Sequence, residues 1–225
     1  MPFWLLEWSF EWFAFALSRW SFLDVLEYLE GFSVLIAVIF YFSESGDRLK
    51  QKHYQAWQVI NTAQGKGGNG GRVDALEELN SDGISLIGVD VSGAFLQSVR
   101  LEKARLSRAS FNAADLRNSD FASADFSDAN LLSANLRQSN LRNASLQGAN
   151  LEKADFSEAD LSGADLTGVV SLEDADLANA TLSDLRWGNI KKIKNANIFG
   201  VKNPPAGFLA WATQHGAVSI KSDTE

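Results

Sequence analysis

A large apolar residue recurs at every fifth position through the middle of this chain, and this period constrains the fold more than any other feature. The series runs from Leu86 to Leu166 without interruption. Its members are Leu86, Val91, Leu96, Leu101, Leu106, Phe111, Leu116, Phe121, Phe126, Leu131, Leu136, Leu141, Leu146, Leu151, Phe156, Leu161 and Leu166. An α-helix is excluded, because a period of five scatters apolar residues around a helical surface.

A small residue accompanies most members of the series two positions earlier. It is usually alanine, as in Ala124, Ala134 and Ala154. Residues two apart point to the same side of an extended chain, so the alanine and the following leucine or phenylalanine point inward together. The three remaining residues of each unit point outward and turn the chain through a corner. The pattern therefore predicts a solenoid with a packed apolar core and no pore.

The five-residue unit, exemplified by Ala-Asp-Phe-Ser-Glu at 154–158, resembles the repeat of the pentapeptide-repeat family. That resemblance implies an all-β solenoid, a right-handed quadrilateral β-helix with four repeats in each coil of about 20 residues and coils about 4.8 Å apart. We expect this β-helix to occupy residues 83–199. The family is broad, so the resemblance specifies a fold and leaves the function open.

The five-residue frame slips by one position after Leu166. Ser171 falls where an apolar residue is due, and the series restarts at Leu172. A second slip precedes Ile193. We interpret the first slip as a bulge that relaxes the C-terminal coils. The alternative is a protrusion near 169–173 that contacts a partner.

Aspartate or asparagine often fills the outward position just before the large apolar residue. Residues one coil apart are expected to stack, which places Asn135 between Asp115 and Asp155. A neutral residue between two carboxylates removes the repulsion that they would feel at about 4.8 Å. We therefore expect these side chains to make turn hydrogen bonds and not to form a ladder of metal ligands.

Helical segments flank the repeats and are expected to cap the open edges of the solenoid. Residues 46–82 are predicted to contain juxtamembrane helices, a glycine-rich hinge and an N-terminal cap in which Val73, Leu76 and Leu79 share one helical face. Residues 200–225 are predicted to form a C-terminal helical cap and tail. Both ends are therefore expected to be sealed against fibre growth.

The N-terminal part of the chain is rich in aromatic and aliphatic residues and is expected to contact a membrane. Residues 1–22 are predicted to form a tryptophan-rich interfacial helix, because tryptophan prefers membrane interfaces. Residues 23–45 are predicted to form a transmembrane or membrane-embedded helix. Its apolar core, 32–42, is shorter than the roughly 20 residues of a full span, so the helix either spans or lies in the interface. The predicted anchor residues are Trp4, Trp8, Trp12, Trp20, Phe32, Leu35, Ile36, Ile39 and Phe40.

A basic segment with Arg48, Lys50 and Lys52 follows the apolar core. By the positive-inside rule it places the repeats on the cytoplasmic side of the membrane. The stretches 55–60 and 71–80 resemble segments of membrane-linked bacterial pentapeptide-repeat proteins. This resemblance implies no particular activity.

Residues that carry catalytic or metal chemistry are scarce. Cysteine is absent, which excludes disulfides and thiolate metal sites, and the two histidines, His53 and His215, lie far apart in the sequence. Residues 65–70 match G-x-G-x-x-G, but a dinucleotide site needs a preceding strand, and a helical segment precedes this one. We interpret the stretch as a flexible hinge, and we predict no enzymatic activity, no cofactor and no metal site.

Three functional hypotheses remain open. The first is a membrane-anchored, non-enzymatic scaffold whose solenoid faces bind a protein partner, because early coils are rich in positive charge and later coils in negative charge. The candidate partner-binding residues are Arg100, Arg105, Arg108, Arg117, Arg137, Arg142, Asp155, Glu158, Asp160 and Asp165. The second is an acidic mimic of DNA that binds a topoisomerase, as the resemblance implies for some family members. The basic early coils and the membrane segment fit this hypothesis badly, and nucleic acid is not expected as a partner. The third is an accessory subunit of a membrane channel or complex that oligomerises through its N-terminal helices.

Overall fold

The computed structural model describes residues 22–62 and 70–221. The chain divides into two compact units, Met1–Lys52 and His53–Glu225. The described residues contain three helices, α1 at Phe22–Thr62, α2 at Arg72–Ser81 and α3 at Phe208–Gln214. The predicted interfacial helix, apart from its last residue, and most of the glycine-rich hinge lie outside the described residues.

Helix α1 is continuous over 41 residues, whereas the sequence predicted a membrane helix that ends at residue 45 and separate helices after it. The chain has no proline in this region, and Gly46 continues the helix, so nothing interrupts it at the predicted boundary. Among the described residues, no helix is both long and apolar enough to cross a membrane. The apolar core at 32–42 is too short, because acidic residues precede and follow it.

The solenoid is assembled from coils that contact each other through isolated parallel bridges. From Asp90↔Ser110 to Ser145↔Asp165 each bridge joins residues 20 positions apart, so four five-residue units complete one coil. The predicted solenoid is present, but across 70–221 single-residue bridges take the place of extended strands. The reason is the length of the unit, which leaves about two extended residues between successive turns.

Each unit contains a turn that carries the chain around a corner. The Ala124 N–H donates to the Phe121 carbonyl at 3.0 Å, and the same bond recurs from unit to unit. The residue before the alanine has a left-handed backbone, as at Ser123 with φ 59°, which is the geometry of a type II turn. Asparagine and glycine recur at this position because they tolerate that conformation best.

The inward residues form one apolar core along the solenoid. Phe111, Phe121 and Phe126 pack edge to face, with ring centroids 5.1–6.4 Å apart. Serine replaces alanine at Ser119 and Ser139, and each buried hydroxyl donates to a backbone carbonyl, at 3.2 and 2.6 Å respectively. The core therefore accepts these polar atoms because every hydroxyl has a partner.

Two bulges occupy the same corner of successive coils. At the first, the Val170 N–H donates to the Ala149 carbonyl and the Ser171 carbonyl accepts from the Leu151 N–H, each at 2.9 Å. Two residues, Val170 and Ser171, therefore lie opposite the single residue Asn150 of the preceding coil, which is a β-bulge. The bulge predicted after Leu166 is thus confirmed. At the second, the Lys191 N–H donates to the Val169 carbonyl at 3.1 Å, and the Lys192 carbonyl accepts from the Leu172 N–H at 2.9 Å. We call these two sites the stacked bulges.

Helices cover both ends of the solenoid. At the N-terminal end, Leu76 and Leu79 of α2 and Ile60 of α1 are fully buried. At the C-terminal end, Phe208 and Ala212 of α3 are buried, and the Phe208 ring packs 5.6 Å from the ring of Trp187. The helices therefore shield the apolar core of the first and last coils from solvent.

Candidate functional site

The outward aspartates and asparagines fasten the turns. Each accepts, through Oδ1, a hydrogen bond from the backbone N–H two residues later, as Asp120 does from Ala122 at 2.9 Å and Asn130 from Leu132 at 3.2 Å. The predicted turn hydrogen bonds are confirmed. Among the described residues no group of histidine, cysteine, aspartate and glutamate is arranged to hold a metal ion.

In three of the stacked columns, from Asp115, Asp120 and Asp125 onward, a neutral side chain separates successive carboxylates up to the first bulge. Asn140 Nδ2 donates to Asp120 Oδ1 of the preceding coil at 2.9 Å. Asn135 likewise lies between Asp115 and Asp155 in the ladder, as predicted. Beyond the bulge, Asp155 pairs directly with Asp176. The alternation therefore belongs to the regular coils.

Four of the six predicted partner-binding arginines are held in ion pairs within the chain. Arg100 pairs with Glu77 at 3.2 Å and Arg117 with Asp115 at 2.8 Å. Arg137 pairs with Glu158 at 3.4 Å and Arg142 with Asp160 at 3.0 Å. Arg100 thereby links the solenoid to α2, Arg137 and Arg142 link neighbouring coils, and Arg117 pairs within its own unit. The charge of each of these arginines is therefore partly neutralised within the chain.

Arg105 and Arg108 differ from these four. Both are exposed and belong to the same unit, 104–108. Within residues 22–62 and 70–221 neither makes an ion pair. The ladder places Arg105 beside Asp125 of the next coil, but their side chains form no ion pair. This arginine pair is the part of the predicted basic surface that remains available to a partner.

The predicted acidic residues serve mainly the solenoid itself. Asp155 accepts from the Ser157 N–H at 2.9 Å and from the Ser157 hydroxyl. Glu158 accepts from Gln138 at 2.9 Å as well as from Arg137. Hydrogen bonds to the Asp160 carboxylate from Ser162 and Arg142 outweigh the effect of partial burial and hold its pKa below the usual range.

Asp165 is the most enclosed of these carboxylates, with its side chain only 3% exposed. It accepts from the Thr167 N–H at 2.9 Å, from the Gln147 amide and from Arg186 at 3.0 Å. Burial opposes its ionisation, but the hydrogen bonds from Thr167 and Gln147 and the charge of Arg186 outweigh it, so the pKa of Asp165 lies below its usual range. A carboxylate held in this way is not available to a partner, which removes it from the predicted surface.

The described anchor residues lie on helix α1. Leu35, Ile36, Ile39 and Phe40 are between 42% and 63% exposed. Phe32 also lies on α1, whereas Trp4, Trp8, Trp12 and Trp20 lie outside the described residues. The segment 33–41 is exposed throughout, so an apolar stretch of helix meets solvent in the isolated chain.

His53 forms a contact that the sequence did not indicate. Its Nε2 lies 2.8 Å from Asp82 Oδ2, a pair that joins the end of α1 to the turn after α2. In the described part of the chain His53 makes no hydrogen bond to a hydroxyl. The pair lacks the nucleophile that a catalytic triad requires, and its geometry is that of a structural contact.

A cleft beside the second stacked bulge was also missed. Its volume is about 220 Å³. The polar and aromatic side chains that line it are Glu173, Lys191, Lys192, Lys194, Trp211 and His215. The second frame slip, before Ile193, is the sequence signal for the bulge on one side of this cleft. It does not indicate that Trp211 and His215 lie on the other side.

Comparison with known proteins identifies the solenoid. The family model for pentapeptide repeats matches residues 84–121, 104–143 and 134–170. Residues 84–170 of the solenoid are therefore pentapeptide repeats. No curated protein sequence is significantly similar to the chain.

Solved structures of pentapeptide-repeat proteins resemble part of the chain. HetL, involved in heterocyst differentiation regulation in the cyanobacterium Nostoc sp. strain PCC 7120, is 28% identical over 52% of this chain and 57% of its own, with a TM-score of 0.36. Rfr23 from the cyanobacterium Cyanothece 51142 is 28% identical over 51% of this chain and 63% of its own, with a TM-score of 0.35. A pentapeptide-repeat protein of the Arabidopsis thaliana thylakoid lumen is 25% identical over 62% of this chain and 81% of its own, with a TM-score of 0.33. The chain thus spans less than two thirds of the length of the first two.

Proposed function

We propose that this chain is a non-enzymatic scaffold whose pentapeptide-repeat solenoid binds an acidic surface of a protein partner through Arg105 and Arg108. The observation that carries the proposal is that these two exposed guanidinium groups have no ion pair among the described residues, while four neighbouring arginines do. An arginine that is not already paired can give its full charge-assisted hydrogen bonds to a partner carboxylate.

The rigidity of the solenoid supports this role. The Leu106 and Arg108 N–H groups each donate to the next coil at 2.8 Å, to Asp125 and Ser127 respectively. The backbone that carries the arginine pair is therefore fixed on both sides of Leu106. A preorganised surface loses less conformational entropy on binding than a mobile loop does.

Two clefts among the described residues are small for a small-molecule site. The cleft beside the second bulge measures about 220 Å³, and a second cleft, lined by Glu77, Asn80, Ser81, Arg100 and Glu102, measures about 280 Å³. Both fall below the roughly 300–1,000 Å³ of typical small-molecule sites. The broad faces of the solenoid are better matched to a protein surface.

Charge reversal tests the scaffold proposal. In the full chain, Arg105→Glu combined with Arg108→Glu is expected to leave the fold intact, because both side chains are exposed. The amount of partner that co-purifies with each mole of the chain should fall by about tenfold or more. The matched control is Lys202→Glu combined with Lys221→Glu, which makes the same charge change at exposed residues elsewhere. Retention of the partner by the arginine variant, or equal loss in the control, contradicts the proposal.

We further propose that the exposed apolar segment 33–41 of α1 attaches the scaffold to a membrane surface. Its exposed residues include Leu35, Ile39 and Phe40, and burying them in the acyl region of a bilayer removes apolar area from water. Arg48 follows, with its guanidinium 5.1 Å from the centre of the Tyr41 ring. Basic residues beside an apolar segment favour the cytoplasmic leaflet, whose lipids are anionic.

Vesicle flotation tests the attachment. Full-length chain is expected to float with vesicles of phosphatidylcholine and phosphatidylglycerol, and less with phosphatidylcholine alone. Ile36→Arg combined with Phe40→Arg should reduce the floated fraction by about tenfold, because each charge opposes insertion. The control Gln51→Arg adds a charge to an exposed position of the same helix and should float like the unmodified chain. Failure of the unmodified chain to float refutes the membrane proposal and leaves the scaffold proposal standing.

A further inference from the structure

The cleft beside the second stacked bulge combines cationic and aromatic walls. On the solenoid side, Lys191 and Lys192 form the bulge itself and Lys194 follows it. On the other side lie Trp211 and His215, whose rings stack with centroids 4.7 Å apart. His215 Nδ1 lies 2.7 Å from the Trp211 carbonyl, which fixes the orientation of the imidazole. Both walls of the cleft therefore carry residues whose backbone or ring is fixed by hydrogen bonds.

Positive charge in this cleft exceeds what the chain itself neutralises. Lys192 Nζ pairs with Glu173 Oε2 at 3.3 Å. Lys191 and Lys194 are exposed, and in the part of the chain that the structure describes neither makes an ion pair. One carboxylate thus faces three ammonium groups, which leaves two of them available to an anion from outside.

Glu173 shows which anion this cleft accommodates. Its carboxylate lines the cleft and bonds one of the lysines. A second carboxylate on a flexible side chain is of similar size, and a volume of about 220 Å³ admits side chains but not a folded element. The Trp211 face offers apolar contact to whatever residue adjoins that carboxylate.

We propose that this cleft binds an acidic peptide segment, with a glutamate or aspartate side chain between Lys191 and Lys194 and its neighbour against Trp211. Glu173 acts as an internal competitor, because it occupies Lys192 and repels an incoming carboxylate. The site is separate from Arg105 and Arg108, so it stands or falls independently of the contact proposed above.

Fluorescence anisotropy with a labelled hexaglutamate peptide tests the proposal on the full chain. Binding is expected to saturate and to weaken with salt, and a hexaglutamine peptide should not bind. Lys191→Gln combined with Lys194→Gln should weaken binding by about tenfold. Glu173→Gln should strengthen it by about threefold, since it removes the competing carboxylate. Lys202→Gln combined with Lys221→Gln, the matched control, should leave binding unchanged.

The Glu173 variant separates this proposal from general attraction to lysines. Unchanged or weaker binding by Glu173→Gln overturns it, as does equal binding of hexaglutamine. Loss of affinity in the control to the same degree as in the Lys191 and Lys194 variant also overturns it. If inorganic phosphate displaces the peptide at concentrations that match its own binding, the cleft is a site for free anions and the peptide proposal is wrong. Circular dichroism checks that each variant keeps the fold.

Discussion

Phe121→Asp is expected to unfold the coils on either side of residue 121. The Phe121 ring is fully buried, with its centroid 5.1 Å from that of Phe126 and 6.4 Å from that of Phe111. Removing the ring alone costs about 3–5 kcal/mol. A carboxylate at the same place has no partner in an apolar core, which adds a desolvation cost of several kcal/mol. The total approaches the whole stability of a typical domain, about 5–15 kcal/mol.

Hydrogen exchange measures this effect locally. The Leu101 and Phe121 N–H groups bond to the next coil at 2.7 and 2.8 Å and should lose protection in the variant. Phe121→Leu keeps an apolar side chain of the kind used elsewhere in the series and should cost only about 1 kcal/mol. Asn118 is exposed, so Asn118→Asp should change neither protection nor stability appreciably. Native-like protection in Phe121→Asp contradicts the inward placement of the five-residue series.

Asp165→Ala is expected to destabilise the chain by about 2–3 kcal/mol at neutral pH, because it leaves the Thr167 N–H and the Gln147 amide without their acceptor. The matched control is Asp125→Ala, in the same column two coils earlier. Asp125 accepts one backbone hydrogen bond, from Ser127 at 3.0 Å, so its loss should cost about 1 kcal/mol. Urea unfolding followed by circular dichroism compares the two variants. Equal costs at the two positions contradict the network around Asp165.

The pH dependence of the Asp165 contribution has a definite sign. Its pKa is depressed in the folded chain, so the ionised form stabilises the fold above the unfolded pKa of about 4, and this stability is lost as pH falls through the folded value. The difference between the unmodified chain and Asp165→Asn should be full at pH 7 and shrink below about pH 4. A difference that grows in acid contradicts a depressed pKa. Asp115 and Asp160, whose pKa values are also lowered, should contribute to acid lability in the same direction.

The sequence by itself determined the solenoid, its core and its turns. A period of five can bury one large and one small residue per unit only if the chain turns after every two extended residues. The inward positions of Phe121 and Leu136 and the turn bonds of Asp120 follow from this local geometry. The bulge after Leu166 was predictable for the same reason, since an extra residue in a strict frame must leave the wall. Because the inward positions and turn bonds recur in every unit, the sequence of one unit predicts the structure of the next.

Only the tertiary structure decided which charges are free and where the walls open. The five-residue pattern places both Arg142 and Arg105 at outward positions. Arg142 nevertheless forms an ion pair with Asp160 of the next coil, whereas Arg105 forms no ion pair among the described residues. Such pairing depends on side-chain reach across coils, which spacing does not encode. The cleft between Lys191 and Trp211 likewise depends on the packing of α3 against the last coils. Local periodicity fixes the backbone path, whereas contacts between distant residues fix the chemistry of the surface.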